Sequence, residues 1–200
     1  MKKAVKIVSV ITIVLFILVN IPNVAICFIY SMPDDAKEDS VSFLTPELTW
    51  NSTIADVRNC FGEPTESVSK KGDVFDIVFG RIKTDTFSTV FENHPVEVRI
   101  TRRGFSPFTL FRRKKVYKYT FIIKCNDAQD ERIVFDNLVK NLVESTKPEK
   151  SVYYNEEENK LSKSVYYGPI WADYFVNYEI EYSENDACEV VFKISSVFDL

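Results

Sequence analysis

The stretch VEVRITRRGFSPFTLFRRKKVYKYTFIIK, residues 96–124, decides how the rest of the chain is read. Its two arms alternate: Val96, Val98 and Ile100 share one side of the first, and Tyr117, Tyr119, Phe121 and Ile123 share one side of the second. Strand side chains change face at every residue, so each arm predicts a half-buried strand. Gly104 and Pro107 supply turn chemistry between them. The segment predicts a long antiparallel hairpin with an aromatic tip.

That hairpin also gathers charge. Arg102 to Lys118 holds seven basic residues and no acidic one, in a chain of formal charge −4. Outside this segment 18 basic residues face 29 acidic ones, leaving −11. Arg102, Arg103, Arg112, Arg113, Lys114 and Lys115 bracket Phe105, Phe108 and Phe111. Exposed cations beside apolar rings suit contact with an anionic bilayer, an acidic protein patch or an anionic polymer. These nine residues are the candidate contact site. A solvated hairpin whose rings tuck into the core is the plainer alternative.

Elements on either side fit a mixed fold. LTWNSTIADVRNCFGEP, residues 48–64, has Ser52 or Thr53 as a helix cap and Asp56 in the first turn. Ile54, Val57 and Phe61 lie on one helical face, and Gly62 and Pro64 end it. DVFDIVFG (73–80) predicts a strand, as does Thr86 to Phe91. NDAQDERIVFDNLVKNLVES (126–145) is the best helix, with Asn126 or Asp127 capping a stripe of Val134, Phe135, Leu138, Val139 and Leu142. Residues 146–163 are polar and predict a loop or irregular hairpin. Residues 164–168, 173–183 and 188–198 predict three more strands, the last two joined by the turn SEND. The expected class is α+β, an antiparallel sheet packed by two helices.

The N-terminus points to a membrane. Lys2, Lys3 and Lys6 precede Ile7 to Met32, a run without one charged residue, and Asp34, Asp35, Glu38 and Asp39 follow it. A signal peptide's apolar core is about 7–15 residues and a spanning helix about 20, so the length favours a retained single-pass anchor. A cleaved signal and a lipid-modified Cys27 are the alternatives. The positive-inside tendency leaves the N-terminus cytoplasmic and exports the remainder. The expected organisation is an anchor or signal over 1–32, a tether over 33–43 and an α+β ectodomain over 44–200. Among Cys60, Cys125 and Cys188, the placement allows one bridge, between the last two.

Trp50 to Pro64 resembles the helix-then-Gly-x-Pro element of SmpA/BamE-like small exported domains, which share an α+β shape with the repeats of the β-lactamase-inhibitor proteins. The second half, from the helix ending at Leu142 into ESTKPEKSVYY, looks like a degenerate copy. The resemblance implies a non-catalytic binding or assembly module outside the cytoplasmic membrane, and it implies no catalytic residue.

Catalysis has little to stand on in this sequence. Five glycines and no Rossmann or Walker pattern argue against phosphate-cradling loops. His94 is the one histidine, so neither a His/Cys zinc site nor a nucleophile–histidine arrangement has supporting spacing. NEEEN at 155–159 lacks the EF-hand pattern. No cofactor, no metal and no nucleic-acid partner is expected. The rival reading is an exported enzyme that gathers Asp73, Asp76, Glu97 or Glu179 in one pocket.

Overall fold

The structure, a computed structural model, describes residues 6, 9–17, 40–50, 52–69, 81–103, 116–145, 152–157, 160–167, 174–183 and 188–196. Its helices are α1 (9–17), α2 (Ile54–Phe61) and α3 (Ala128–Glu144). A small ribbon pairs β1 (Ser40–Ser42) with β2 (Thr45–Thr49). The main sheet contains β3 (Glu66–Ser69), β4 (Ile82–Phe91), β5 (His94–Arg103), β6 (Val116–Lys124), β7 (Val152–Glu157), β8 (Lys160–Tyr167), β9 (Tyr174–Tyr182) and β10 (Glu189–Ser196). Its order is β3-β4-β5-β6-β10-β9-β8-β7, and every neighbouring pair is antiparallel. A helix followed by four strands occurs twice along the chain, and the two sets of strands meet at β6 and β10.

Local chemistry explains the elements. Thr53 caps α2 in a capping box with Asp56, satisfying free amides at the helix start. Gly62 ends that helix with φ 83°, a region that side chains disfavour. Asp127 caps α3 by accepting from the Gln129 and Asp130 amides. Glu92 and Asn93 both take positive φ in the two-residue turn from β4 to β5, closed by Phe91 opposite His94. Two left-handed residues match the twist of a tight hairpin.

α2, α3 and the β1–β2 ribbon pack on one face. A row of buried side chains crosses six strands there: Phe87, Val98, Phe121, Phe192, Ile180 and Leu161. Phe61 of α2 meets Phe87, Phe43 stacks on Phe192 and Trp50 meets Tyr119 edge-on. From α3, Val134, Leu138 and Leu142 are buried, and Phe135 stacks on Tyr182 at 4.4 Å. The alternation in residues 96–100 and 117–123 thus falls on the core side as its pattern requires.

Several expectations change. The folded part reaches back to Ser40, inside the segment read as a tether, and Val41 is fully buried. Where a loop or irregular hairpin is expected over 146–163, β7 pairs regularly with β8, Val152 opposite Val165 and Glu157 opposite Lys160, and β8 takes in the strand expected from residue 164. A strand at the sheet edge packs on one neighbour only, so a polar sequence suffices. The strand expected over 73–80 lies outside the described residues.

The single-pass anchor is corrected. Among the described residues no helix is long and apolar enough to cross a membrane. The transmembrane placement, the membrane partnership through this helix and the orientation derived from it are therefore withdrawn.

Leu138→Ala should lower stability by about 2–5 kcal/mol, because it empties a filled site. Exposed Lys140→Ala should stay within about 0.5 kcal/mol. Urea unfolding midpoints test this, and equal losses would contradict the packing of α3.

Candidate interaction surface

Alternation that buries one side of the sheet sends the other side outward. Thr86, Arg99, Thr120, Lys193, Glu179 and Ser162 form one outward row across six strands. Ser88, Glu97, Ile122, Val191, Glu181 and Lys160 form the next. The ring contacts of Phe43, Trp50, Phe61 and Phe135 and the bond from Lys163 to α3 all fall on the core side. Ile122 and Val191 face one another at the centre of the outward face, both half-buried.

Ion pairs surround that apolar centre. Lys193 pairs with Glu181, and Lys160 reaches Glu179 at 3.4 Å and Glu181 at 3.7 Å. Arg99 donates to Glu97 at 2.5 Å. Such exposed pairs contribute about 0–1 kcal/mol each to stability, so their value here is as a patterned surface. Two carboxylates of the rival enzyme reading, Glu97 and Glu179, thus lie in separate outward rows, each beside a cation; Asp73 and Asp76 lie outside the described residues. No group of three or more acidic, cysteine or histidine residues with metal-holding geometry occurs among the described residues.

Of the nine hairpin residues, only two are described. β5 and β6 stay paired up to Arg102 opposite Val116, which makes residues 104–115 their connection, as the alternation predicts. Phe105, Phe108, Phe111, Arg112, Arg113, Lys114 and Lys115 lie outside the described residues, and for Arg103 only the backbone is described. Arg102 has another engagement: its Nε donates to Asp85 at 2.7 Å.

Asp85 is 1% exposed and also accepts from Ser67 Oγ at 2.5 Å. Burial alone would raise its pKa, but the hydrogen bonds from Arg102 and Ser67 together with the Arg102 charge outweigh it and hold the carboxyl below its ordinary range. This buried pair was legible in principle, since Asp85 and Phe87 share a face of β4 by their spacing of two. Among the described residues Lys163, at 3% exposure, is the other buried charge. Its Nζ donates at 2.7 Å to the Leu142 carbonyl in the last turn of α3, where the helix dipole favours a cation. Burial pushes its pKa down to about 8.

His94 opens β5 and sets Nε2 3.0 Å from both Asp130 oxygens, tying the sheet to the first turn of α3. Asp130 also accepts from the Asn126 amide, and that bond first, then the His94 ring, lowers its pKa. The three buried or half-buried charge clusters each join one element to another. Comparison with protein-family models, curated proteins and solved structures finds no match to this chain.

Arg102→Gln should cost about 3–5 kcal/mol, because it leaves a buried carboxylate without its cation. Arg99→Gln should cost at most about 1 kcal/mol. The lowered pKa means Asp85 contributes stability above its unfolded value, near 3.8, which is lost as pH falls through its folded value. Asp85→Asn should flatten that acid limb in pH-dependent unfolding while lowering stability at neutral pH. An unchanged acid limb would contradict the role of the pair.

Proposed function

We propose that this protein is a non-catalytic interaction module that docks a protein partner on the outward face of its sheet. The observation that carries the reading is the Ile122–Val191 pair set among the Arg99, Glu97, Lys160, Glu179, Glu181 and Lys193 charges. Protein contacts commonly have such an apolar centre and polar rim. Size supports it as well. Six strands at about 4.8 Å spacing and about eight residues at 3.4 Å give a face of roughly 24 by 27 Å. That is close to the ~800 Å² which each partner contributes to a stable complex.

The segment 104–115, which joins β5 to β6 in the sequence, carries four basic residues and no acidic one. An acidic patch on the partner would fit it, and steering by its cations would speed encounter. Two copies of a helix-plus-four-strands unit, joined edge to edge, account for the width of the face; we read the second as a diverged duplicate of the first. This agrees with what the Trp50–Pro64 resemblance implies, a binding or assembly role.

A photo-crosslinking residue at Thr120, on the outward face, tests the reading in cells that make the protein. It should give a protein adduct that Val191→Arg abolishes, while the same probe at Lys140 on α3 gives none. Adducts at Lys140 but not Thr120, or adducts untouched by Val191→Arg at unchanged stability, would overturn it.

A further inference from the structure

Cys125 follows β6 and Cys188 precedes β10, at one end of the seam between the two halves. The adjoining register pair is Lys124 opposite Glu189, so the two cysteines are the next opposed pair. The Cys125 amide donates to the Cys188 carbonyl at 2.8 Å, the bond that marks a close hydrogen-bonded pair in antiparallel sheet. Opposed residues of that kind have Cα atoms about 5.5 Å apart, within the 4.4–6.8 Å span that a disulfide bridges. Opposed residues also project to the same side. Cys125 continues the inward series of Tyr119, Phe121 and Ile123, and Cys188 that of Val190 and Phe192. Both side chains are half-buried and neither is in a disulfide; Cys125 Sγ donates to the Ile123 carbonyl of its own strand at 3.8 Å. Cys60 has a different engagement, donating to Glu47 from α2.

We propose that Cys125 and Cys188 form a reversible disulfide across the β6–β10 seam, made by exchange with a small-molecule disulfide such as oxidised glutathione. The Cys188 thiolate attacks one sulfur of the reagent, forms a mixed disulfide and releases one glutathione thiolate. The Cys125 thiolate then attacks the Cys188 sulfur, forms the internal bond and releases the second glutathione. Two protein thiols are oxidised, one external disulfide is reduced to two thiols, and the two cysteine protons pass through solvent to the departing thiolates. Cys125 suits the second step. Burial first, then Asp130 and Glu131, raise its pKa to about 11, so it attacks poorly from solution. Held opposite Cys188, it gains the high effective concentration of an intramolecular reaction.

The bond would join the first helix-plus-strands unit to the second covalently. It closes a long loop, for which the chain-entropy model gives a large effect, and in a chain of this size that corresponds to a rise in unfolding midpoint on the order of 10 °C.

The test uses the full chain with Cys27→Ser and Cys60→Ser, incubated folded with oxidised or reduced glutathione, then alkylated and digested. The oxidised sample should lose two hydrogens, yield one Cys125–Cys188 linked peptide, retain no glutathione and unfold roughly 10 °C higher. Adding Cys125→Ser should trap glutathione on Cys188. Stable glutathione adducts on both cysteines without an internal bridge, a link that forms only after urea is added, or a Cys125→Ser chain that stays fully reduced would each overturn the proposal.

Discussion

The packing of Phe121 against Phe192 across the β6–β10 seam is the contact on which the remaining structure depends. The two rings lie 5.9 Å apart, and Phe192 also stacks on Phe43 at 5.4 Å and on Tyr178 at 6.5 Å. Full burial of a phenylalanine is worth about 1.5–3 kcal/mol, and aromatic pairing adds about 0.5–1.5 more. That apolar hub sits where the two halves meet. Without it each half would be four strands with an open edge, the arrangement most prone to wrong pairing. With it the sheet is continuous from β3 to β7.

The buried charges serve the same end. Asp85 fixes β5 to β3 and β4 through Arg102 and Ser67, and Lys163 fixes the end of α3 over β8. A buried ion pair adds little net stability compared with an apolar replacement, but it penalises any register that separates the partners. One residue of slip would turn Asp85 outward and Thr84 or Thr86 inward. We read these clusters as devices that hold the register of a sheet whose outer strands are polar on much of their length.

Much of this was legible in the sequence, for identifiable reasons. The arms of the β5–β6 hairpin and the stripe of α3 have strict periodicity and long apolar runs, so a single pattern covers them. Side-chain chemistry alone narrows the caps to Ser52 or Thr53 and to Asn126 or Asp127, and the structure selects Thr53 and Asp127. The regular β7–β8 hairpin was not legible, because an edge pair with Asn155 exposed shows little apolar alternation. The turn at Glu92–Asn93 lacks the usual glycine, which hid the start of β5. Arg102 was grouped with its neighbours by charge, whereas pairing with a carboxylate 17 residues earlier sets it apart. The long uncharged N-terminal run suggests a membrane span through composition, while among the described residues no helix is long and apolar enough to cross a membrane. The outward face emerged only with strand order, because Ile122 and Val191 meet through a pairing of strands 69 residues apart in register.

A sheet made continuous by its central seam should unfold as one unit, and native-state hydrogen exchange tests that most directly. Amides of β6 and β10 are expected to exchange most slowly, with a common free energy equal to global unfolding and the same denaturant dependence. Two separate free energies, one for the strands from β4 to β6 and a lower one for those from β8 to β10, would contradict the account.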